Sequence, residues 1–585
     1  MNVLGLSFNY HDSAACLIQD GKIIAACEEE RFCRRKHTAE FPEQAIHYVL
    51  REAGLSIDEI THIAFYEKPI VKFDRIFRGS LAAWPRSFTL FSKGMRHWLS
   101  NKIRVVDQSK KRLNTRKPIA CIPHHVSHAA SAYYPSGFKS SAILTMDGVG
   151  EWATTGIGHG QGTTFDMINE IRYPHSIGLL FSTITAYLGF KVNDAEWKVM
   201  GLAPYGKPTL VDKFKKIVQL RKDGSFNLDL SYFSHHWCSQ RMFSKKWEQL
   251  FGQKSRKPES NLTDFHRDFA CSGQLIVEEL ILNVARASHS LTGEKRLCIG
   301  GGVGLNSVAN WRILQETDFD EVFIQPAAGD DGGALGAASF MAYGLLGEPL
   351  PGPMTHAYYG PGFSNDEVEQ FLVSHNIPHQ KYDEEAMCQE SAKLLANNKV
   401  IGWFQGRQEF GPRSLGHRSI IGNPANPKMK DIINAKVKYR EAFRPFAPSV
   451  LEEEAHIYFD INKGLKLPFM LMVPQVRSEW APRLPAITHK DGSGRVQTVN
   501  LKDNEIYYKM IKAVGEETGI PMVINTSFNV RGEPIVTSPE QAYDCFCRTG
   551  IDILVIENFI ITDKPRNVDH EEGMKYSKGL EGMSQ

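Results

Sequence analysis

At 585 residues the chain exceeds one ordinary core, so two large lobes are expected. Its 42% hydrophobic and 23% charged content is that of a globular protein, which excludes extended disorder outside a polar tail from His570 to Gln585. A net charge of +2 excludes a chain built throughout to bind polyanions, and no run of about twenty apolar residues marks a transmembrane helix.

Val3 to Ser7 reads as a buried strand, and Ala14–Ile18 and Lys22–Glu28 flank the hairpin signal Gln19-Asp20-Gly21. The first residues carry no basic leader, and polar residues interrupt their apolar run. Pro42 to Ala53 has helical spacing. From Lys68 to Lys117 fourteen Lys/Arg face two Asp, a net of +12, with Phe73, Phe77, Trp84, Phe88, Phe91 and Trp98 interleaved. This segment is either an amphipathic helical insert with a solvated basic face or a dock for an anionic partner, such as a phosphorylated acceptor or a membrane surface. A nucleic acid is disfavoured because no matching stripe occurs elsewhere.

A second strand, Ser141–Met146, runs into Asp147-Gly148 and is followed by Thr154–Gly158, so the strand–glycine–strand theme occurs twice. A helix over Ile276–Leu291 precedes a short strand, Arg296–Ile299, the turn Gly300–Asn306, a helix Ser307–Gln315, a strand Glu321–Ile324 and a small-residue helix Gly332–Leu345. That order predicts an α/β fold. Gly347-Glu-Pro-Leu-Pro-Gly-Pro353 is the strongest boundary signal, dividing the chain into lobes 1–350 and 351–585. The second lobe again mixes helices (Glu384–Asn397) with strands (Val400–Phe404, Met522–Asn525, Ile553–Ile556). Ten scattered cysteines without a CxxC pair suit a reducing cytoplasm.

His124 and His128 share one helix face at i, i+4, and Asp147 and Asp330, each beside glycine, can complete a nitrogen/oxygen cage for zinc, iron or nickel. The plain alternative is a pair of histidines satisfied by hydrogen bonds at a helix end. Gly300 to Asn306 offers N–H groups at a helix start, an anion site or simply a tight turn. Glu196 and Lys198, beside Gly201 and Gly206, can hold ribose and phosphate, or form a surface ion pair. In the second lobe, Arg407, Arg413 and Arg418 crowd a turn-rich stretch, with Lys438, Arg440 and Arg444 following and Ser527, Asn529 and Arg531 after a buried strand. Arginine forks suit phosphate oxygens, and solvated surface charge is the alternative for each residue taken singly.

Taken in order, these stretches resemble the O-carbamoyltransferase family of the nodulation-factor, cephamycin, novobiocin and tobramycin type. The resemblance runs through His11-Asp12-Ser-Ala-Ala-Cys-Leu, Glu28-Glu-Glu-Arg31-Phe, Lys36-His37, His124-His125-Val-Ser-His128, Met146-Asp147-Gly148 and Lys198-Val-Met-Gly201-Leu-Ala-Pro-Tyr-Gly206. It ends with Arg413-Ser-Leu-Gly-His417-Arg418, Lys438-Tyr-Arg440 and Asn525-Thr-Ser527-Phe-Asn529.

The resemblance implies an actin/hexokinase-like ATPase-type first lobe with duplicated α/β subdomains and an α/β second lobe similar to threonylcarbamoyl-adenylate synthase. It implies that carbamoyl phosphate and ATP, with Mg2+, give carbamoyl-adenylate in the second lobe, and that a hydroxyl of a small-molecule acceptor takes the carbamoyl group in the first. His124, His128, Asp147 and Asp330 would bind Fe2+ or another divalent metal, with Asp331 competing for the role of Asp330. Lys438 and Arg440 with Ser527 and Asn529 match the KxR and SxN patterns of the adenylate-forming lobe, and Arg413 would join them. Glu196, Lys198, Gly301, Gly302, Asn306 and Asp331 would line the nucleotide side of the first lobe, and His11 or Asp229 would orient or deprotonate the acceptor. A tRNA threonylcarbamoyladenosine-type enzyme and a nucleotide-binding scaffold without activity are the competing readings, and assembly as a homodimer stays open.

Overall fold

The computed structural model describes residues 1–564 except 101, 239, 441, 442 and 445, and except the side chains of 93, 96, 97, 99 and 100. The tail from His570 and part of the basic 68–117 segment therefore lie outside the described residues. The chain divides into two units, Met1–Ala26 with Ala39–Met354, and Cys27–Thr38 with Thr355–Gln585.

The first unit repeats one sheet design. Strands β1 (Asn2–Ser7), β2 (Ala14–Gln19), β3 (Lys22–Glu28), β4 (His62–Phe65) and β5 (Ile119–Cys121) form a sheet in the order β3-β2-β1-β4-β5. Strands β6 (Ser140–Met146), β7 (Ala153–Gln161) and β8 (Thr164–Arg172) continue the chain, and after a small β9 (Val218–Leu220) and β10 (Phe226–Leu228) pair come β11 (Arg296–Gly300) and β12 (Glu321–Ile324). The second five-stranded sheet reads β12-β11-β6-β7-β8. In each sheet the first strand pairs antiparallel with the next and parallel with a later crossover strand, β1 with β4 and β6 with β11. This duplicated α/β unit is the arrangement of an actin/hexokinase-like lobe. β1 and β6 are buried along nearly their whole length, because strands in the middle of such sheets are covered on both faces.

Small residues set the spacing between layers. The helix Gly332–Ser339 is fully buried and packs on β1 and on the helix His124–Tyr133. A Cβ at Gly336 would collide with the Ser127 carbonyl, so a larger residue there would push the two helices apart. The longest helix, Asp264–Thr292, begins a dozen residues before the periodic stretch visible in sequence; Thr263 and His266 form its capping box. An insert of three helices, Pro69–Ala82, Phe88–Ser100 and Val105–Arg112, separates β4 from β5.

The second unit is an eight-stranded mixed sheet. Its strands are β13 (Gln380–Lys381), β14 (Ile401–Phe404), β15 (Arg418–Gly422), β16 (Ala447–Leu451), β17 (Gln497–Val499), β18 (Met522–Ser527), β19 (Ile553–Ile556) and β20 (Phe559–Ile561). They run in the order β13-β20-β19-β14-β15-β18-β16-β17. Helices Glu384–Ala396 and Glu505–Thr518 pack together in one core with Trp403 of β14, and Tyr507 of the second helix is fully buried in it.

Residues Cys27–Thr38 also belong to this unit. Arg31, only 2% exposed, donates to both oxygens of Glu28 and to the Gly411 carbonyl, while Gly411 N–H donates to Glu28 at 2.7 Å. Arg34 donates to the Pro534 and Ile535 carbonyls, and the Thr537 hydroxyl to the Arg31 carbonyl. Among the described residues no helix is long and apolar enough to cross a membrane.

Candidate functional site

In the first unit three elements deliver four donor atoms to a common point. His124 opens its helix and His128 follows one turn later. Asp147 leaves the end of β6, and Asp330 immediately precedes the segment entering the helix Gly332–Ser339. His124 Nε2 lies 3.1 Å from His128 Nε2, 3.1 Å from an Asp147 carboxylate oxygen and 3.7 Å from Asp330 Oδ1. His128 Nε2 lies 4.0 Å from Asp147 and 3.6 Å from Asp330. All four donors fall within 4.8 Å of one another. Four ligands at ~2.1 Å around a tetrahedral ion sit roughly 3.4 Å apart, so the spacing suits a metal.

Electrostatics agree. Burial alone would lower the His124 pKa, yet Asp330 and Asp147 outweigh it and raise it. Burial would raise Asp147, but hydrogen bonding to His124 and the charge of His128 hold it well below the usual carboxylate range. Asp330 is lowered too: burial opposes, and His11 and His124 prevail. His125 points away, its Nδ1 2.7 Å from the Thr145 hydroxyl; burial and its two histidine neighbours lower it to about 3.

The surroundings orient the cage. Tyr66 OH donates to Asp330 at 3.4 Å, and Glu151 accepts the His124 N–H at 3.2 Å. Gly301 has φ +89°, and a Cβ there would strike the Met146 carbonyl; the turn it permits brings Gly302 N–H to 3.4 Å from Asp147. His11 lies 3.9 Å from Asp330 and 2.8 Å from Asp12, with its ring against Tyr10. Burial would lower His11, but Asp330 and Asp12 raise it to about 9.

The other residues named from sequence in this unit lie in different settings. Asp331 is not part of the converging group; of the two neighbouring aspartates, Asp330 points into it. Asn306 caps the helix Ser307–Glu316 through Ala309 N–H and exchanges hydrogen bonds with Gln274. Glu196 accepts from the Ser182 hydroxyl and the Asn193 N–H, each at 2.9 Å, which ties down a turn. Lys198 is buried, its ammonium 5.4 Å from the Phe190 ring centre. Asp229 is exposed and caps a short 3-10 turn through Ser231 N–H.

In the second unit Lys438, Ser527 and Asn529 meet. Lys438 ends an irregular helical segment, Asn434–Lys438, and Ser527 ends β18. The Lys438 ammonium donates to the Ser527 carbonyl, to the Ser527 hydroxyl at 3.2 Å, and to the Asn529 carbonyl and side chain at 2.9 Å. Burial, with Arg440 adding repulsion, pushes Lys438 well below the ordinary lysine value. Arg440 itself donates to Asn434 at 2.8 Å and lies over the Phe446 ring.

The arginine-rich stretch separates into two kinds. Arg418, fully buried, donates to the carbonyls of Gln405, Pro361 and Gly406, and Arg407 to those of Tyr359 and Gly360; both hold loops in place. Glu409 gathers the N–H groups of Leu415, His417 and Arg418 and shapes the loop that carries Arg413. Arg413 Nε is buried without a hydrogen-bond partner, and burial together with Arg495 lowers its pKa far below the ordinary arginine value. Arg495 is lowered to about 10 by burial. Gln497 donates to the Leu415 carbonyl at 2.7 Å and holds the two arginine segments side by side. Among the described residues no carboxylate offsets the two neighbouring guanidiniums, which can seat an anion.

Sequence reasoning missed Tyr66, Glu151 and Arg495. Glu151 follows Asp147-Gly148-Val149-Gly150 closely enough to have been suspected. Tyr66 directly follows an apolar strand and Arg495 stands alone in a loop, so neither carries a local signal.

The family profile described as Carbamoyltransferase N-terminus matches residues 2–339, and that described as Carbamoyltransferase C-terminus matches residues 392–563. An uncharacterized protein of Synechocystis sp. is 45% identical over 99% of this chain and 99% of its own. Nodulation protein NolNO of Sinorhizobium fredii is 37% identical over 97% of this chain and 81% of its own. Among solved structures, T. kodakarensis HypF is 13% identical over 59% of this chain and 48% of its own, with a TM-score of 0.31.

Proposed function

The chain belongs to the carbamoyltransferase family, and from that premise we propose that it is an ATP-dependent O-carbamoyltransferase. It forms carbamoyl-adenylate from carbamoyl phosphate and ATP in the second unit. It then moves the carbamoyl group to a hydroxyl of a small-molecule acceptor in the first. The observation that carries this reading is the four-donor cage of His124, His128, Asp147 and Asp330.

The donor set fits a divalent ion, Fe2+ by family resemblance, on two further counts. Two buried imidazole Nε2 atoms 3.1 Å apart cannot both be satisfied by each other as neutral acceptors. Asp330 Oδ1 is buried without a hydrogen-bond partner. When bound, such an ion polarises a carbonyl or holds a phosphate.

The chain's own residues account for the rest. In the second unit one water balances the reaction: carbamoyl phosphate releases phosphate, and the carbamate oxygen displaces pyrophosphate from the α-phosphorus of ATP. Lys438 is held by Ser527 and Asn529, and among the described residues no carboxylate pairs with it, so an incoming phosphate would favour its ammonium form. Arg413 and Arg495 supply bidentate donors for phosphate oxygens. In the first unit the acceptor oxygen attacks the carbonyl carbon and the bond to the AMP phosphate oxygen breaks. His11, its ring 2.8 Å from Asp12 and 3.9 Å from Asp330, is the group placed to take the hydroxyl proton. Tyr66 and Glu151 keep the cage oriented.

The test is pyrophosphate and AMP release by the iron-reconstituted protein, with carbamoyl phosphate omitted in a parallel series. Release should require both substrates. Absence of carbamoyl phosphate-dependent turnover with and without a range of hydroxylated acceptors would overturn the proposal.

A further inference from the structure

The first helix of the insert between β4 and β5 is turned inside out. In the helix Pro69–Ala82 the cationic Lys72 and Arg75 are buried, whereas Ile70, Phe77 and Leu81 are exposed. A surface helix ordinarily does the reverse. The inward cations are occupied. Lys72 pairs with Glu67 and lies 5.0 Å from the Tyr10 ring centre, and the Arg75 guanidinium lies 5.0 Å from the Tyr173 ring centre. Tyr10 touches His11, so this face of the helix is committed to ground beside the metal-type cage.

The outward face is apolar and continuous. Of the fifteen large hydrophobic side chains exposed among the described residues, Ile70, Phe77, Leu81, Trp84 and Phe88 fall within nineteen consecutive positions. Trp84 and Phe88 are 51% and 58% exposed. Their rings are 5.5 Å apart, and Phe91 joins Trp84 at 6.2 Å to Phe77 at 6.0 Å. Isolated exposed apolar residues are ordinary, but a contiguous aromatic patch marks a docking surface. Trp84 stands in the turn between the helices Pro69–Ala82 and Phe88–Ser100, so the patch forms the tip of a helical hairpin rather than a groove.

Charge identifies the occupant. Arg86 is exposed within the tip, and Arg78 is exposed beside Phe77, with its Nε on Asp74. Residues 68–117 carry a net +12 while the whole chain carries +2, which leaves the remaining residues at −10. A second copy meeting this tip through the same surface would bring two such positive segments together. A flat anionic surface would not be repelled, and Trp, Phe and Leu with flanking arginines are the side chains that settle into lipid headgroups. We propose that the 77–88 tip docks the protein on an anionic lipid bilayer, with Leu81, Trp84 and Phe88 entering the headgroup layer and Arg78 and Arg86 meeting lipid phosphates.

The test is flotation of the full-length protein with phosphatidylcholine vesicles, with and without an equal share of phosphatidylglycerol. The protein should float only with the anionic vesicles, and added salt should release it. W84S/F88S should weaken binding at least about tenfold, and R78Q/R86Q should weaken it by about fivefold per arginine removed, both with unchanged circular dichroism and unchanged carbamoyl phosphate-dependent turnover. Equal flotation of the variants and the parent overturns the proposal. So does failure of the parent to float with the anionic vesicles; a change of oligomeric state in W84S/F88S by sedimentation would then assign the tip to a protein contact.

Discussion

Replacing Glu28 by alanine should unfold the second unit far more readily than its place in the N-terminal sequence suggests. Glu28 and Arg31 are 3% and 2% exposed, and the carboxylate takes two guanidinium donors and the Gly411 N–H. Truncating Glu28 leaves Arg31 with the Gly411 carbonyl and one described carboxylate, Glu30 at 3.3 Å, and strands the buried Gly411 N–H. Breaking a buried pair on one side costs ~3–5 kcal/mol. At roughly 2–4 °C per kcal/mol for a unit of this size, the transition should fall by about 6–20 °C. Differential scanning calorimetry of the full chain would resolve it, since only one of two transitions should move. E28A/R31M should recover part of the loss because the stranded charge is removed with its partner. A transition unchanged within about 2 °C in E28A would refute the reasoning, since the buried pair would then contribute almost nothing.

Four further outcomes follow from the structure. H128A or D330N should lower bound iron to a small fraction of the parent's, measured by elemental analysis after reconstitution and dialysis, whereas D331N should retain it. K438M should lower pyrophosphate release by at least about a hundredfold, with folding intact by circular dichroism, because it removes the positioned charge; R495Q should raise the KM for carbamoyl phosphate about tenfold or more. Glu557 is raised to about 7 by burial, against the pull of Arg418 and the Gly406 N–H, from an ordinary value of 4.5. Its folded form therefore holds the proton more tightly. The stabilisation is complete below about pH 4.5 and is lost as pH rises through about 7, a change of about 3 kcal/mol that E557Q should abolish in urea titrations across that range.

Much of this protein was readable along the chain. Apolar runs and turn signals located β1, β6 and β11 and the helices near Pro42–Ala53 and Ser307–Gln315, because strands buried on both faces and glycine turns leave dense local signals. His124 and His128 were paired by helix geometry alone, since i and i+4 must share a face. Choosing Asp330 over Asp331 needed three dimensions: adjacent residues differ only in which way the turn before a helix throws each side chain. By spacing alone the arginines at 407, 413 and 418 were equivalent and only the family resemblance favoured Arg413; hydrogen bonds to carbonyls set Arg407 and Arg418 apart from it. The short strands β16 and β17 and the exposed β8 escaped notice because their stability comes from neighbours distant in sequence. Tertiary structure alone decided that Cys27–Thr38 belongs with residues beyond 354. Glu28 and Arg31 find their partners near position 411, and no local spacing encodes a contact across nearly four hundred residues.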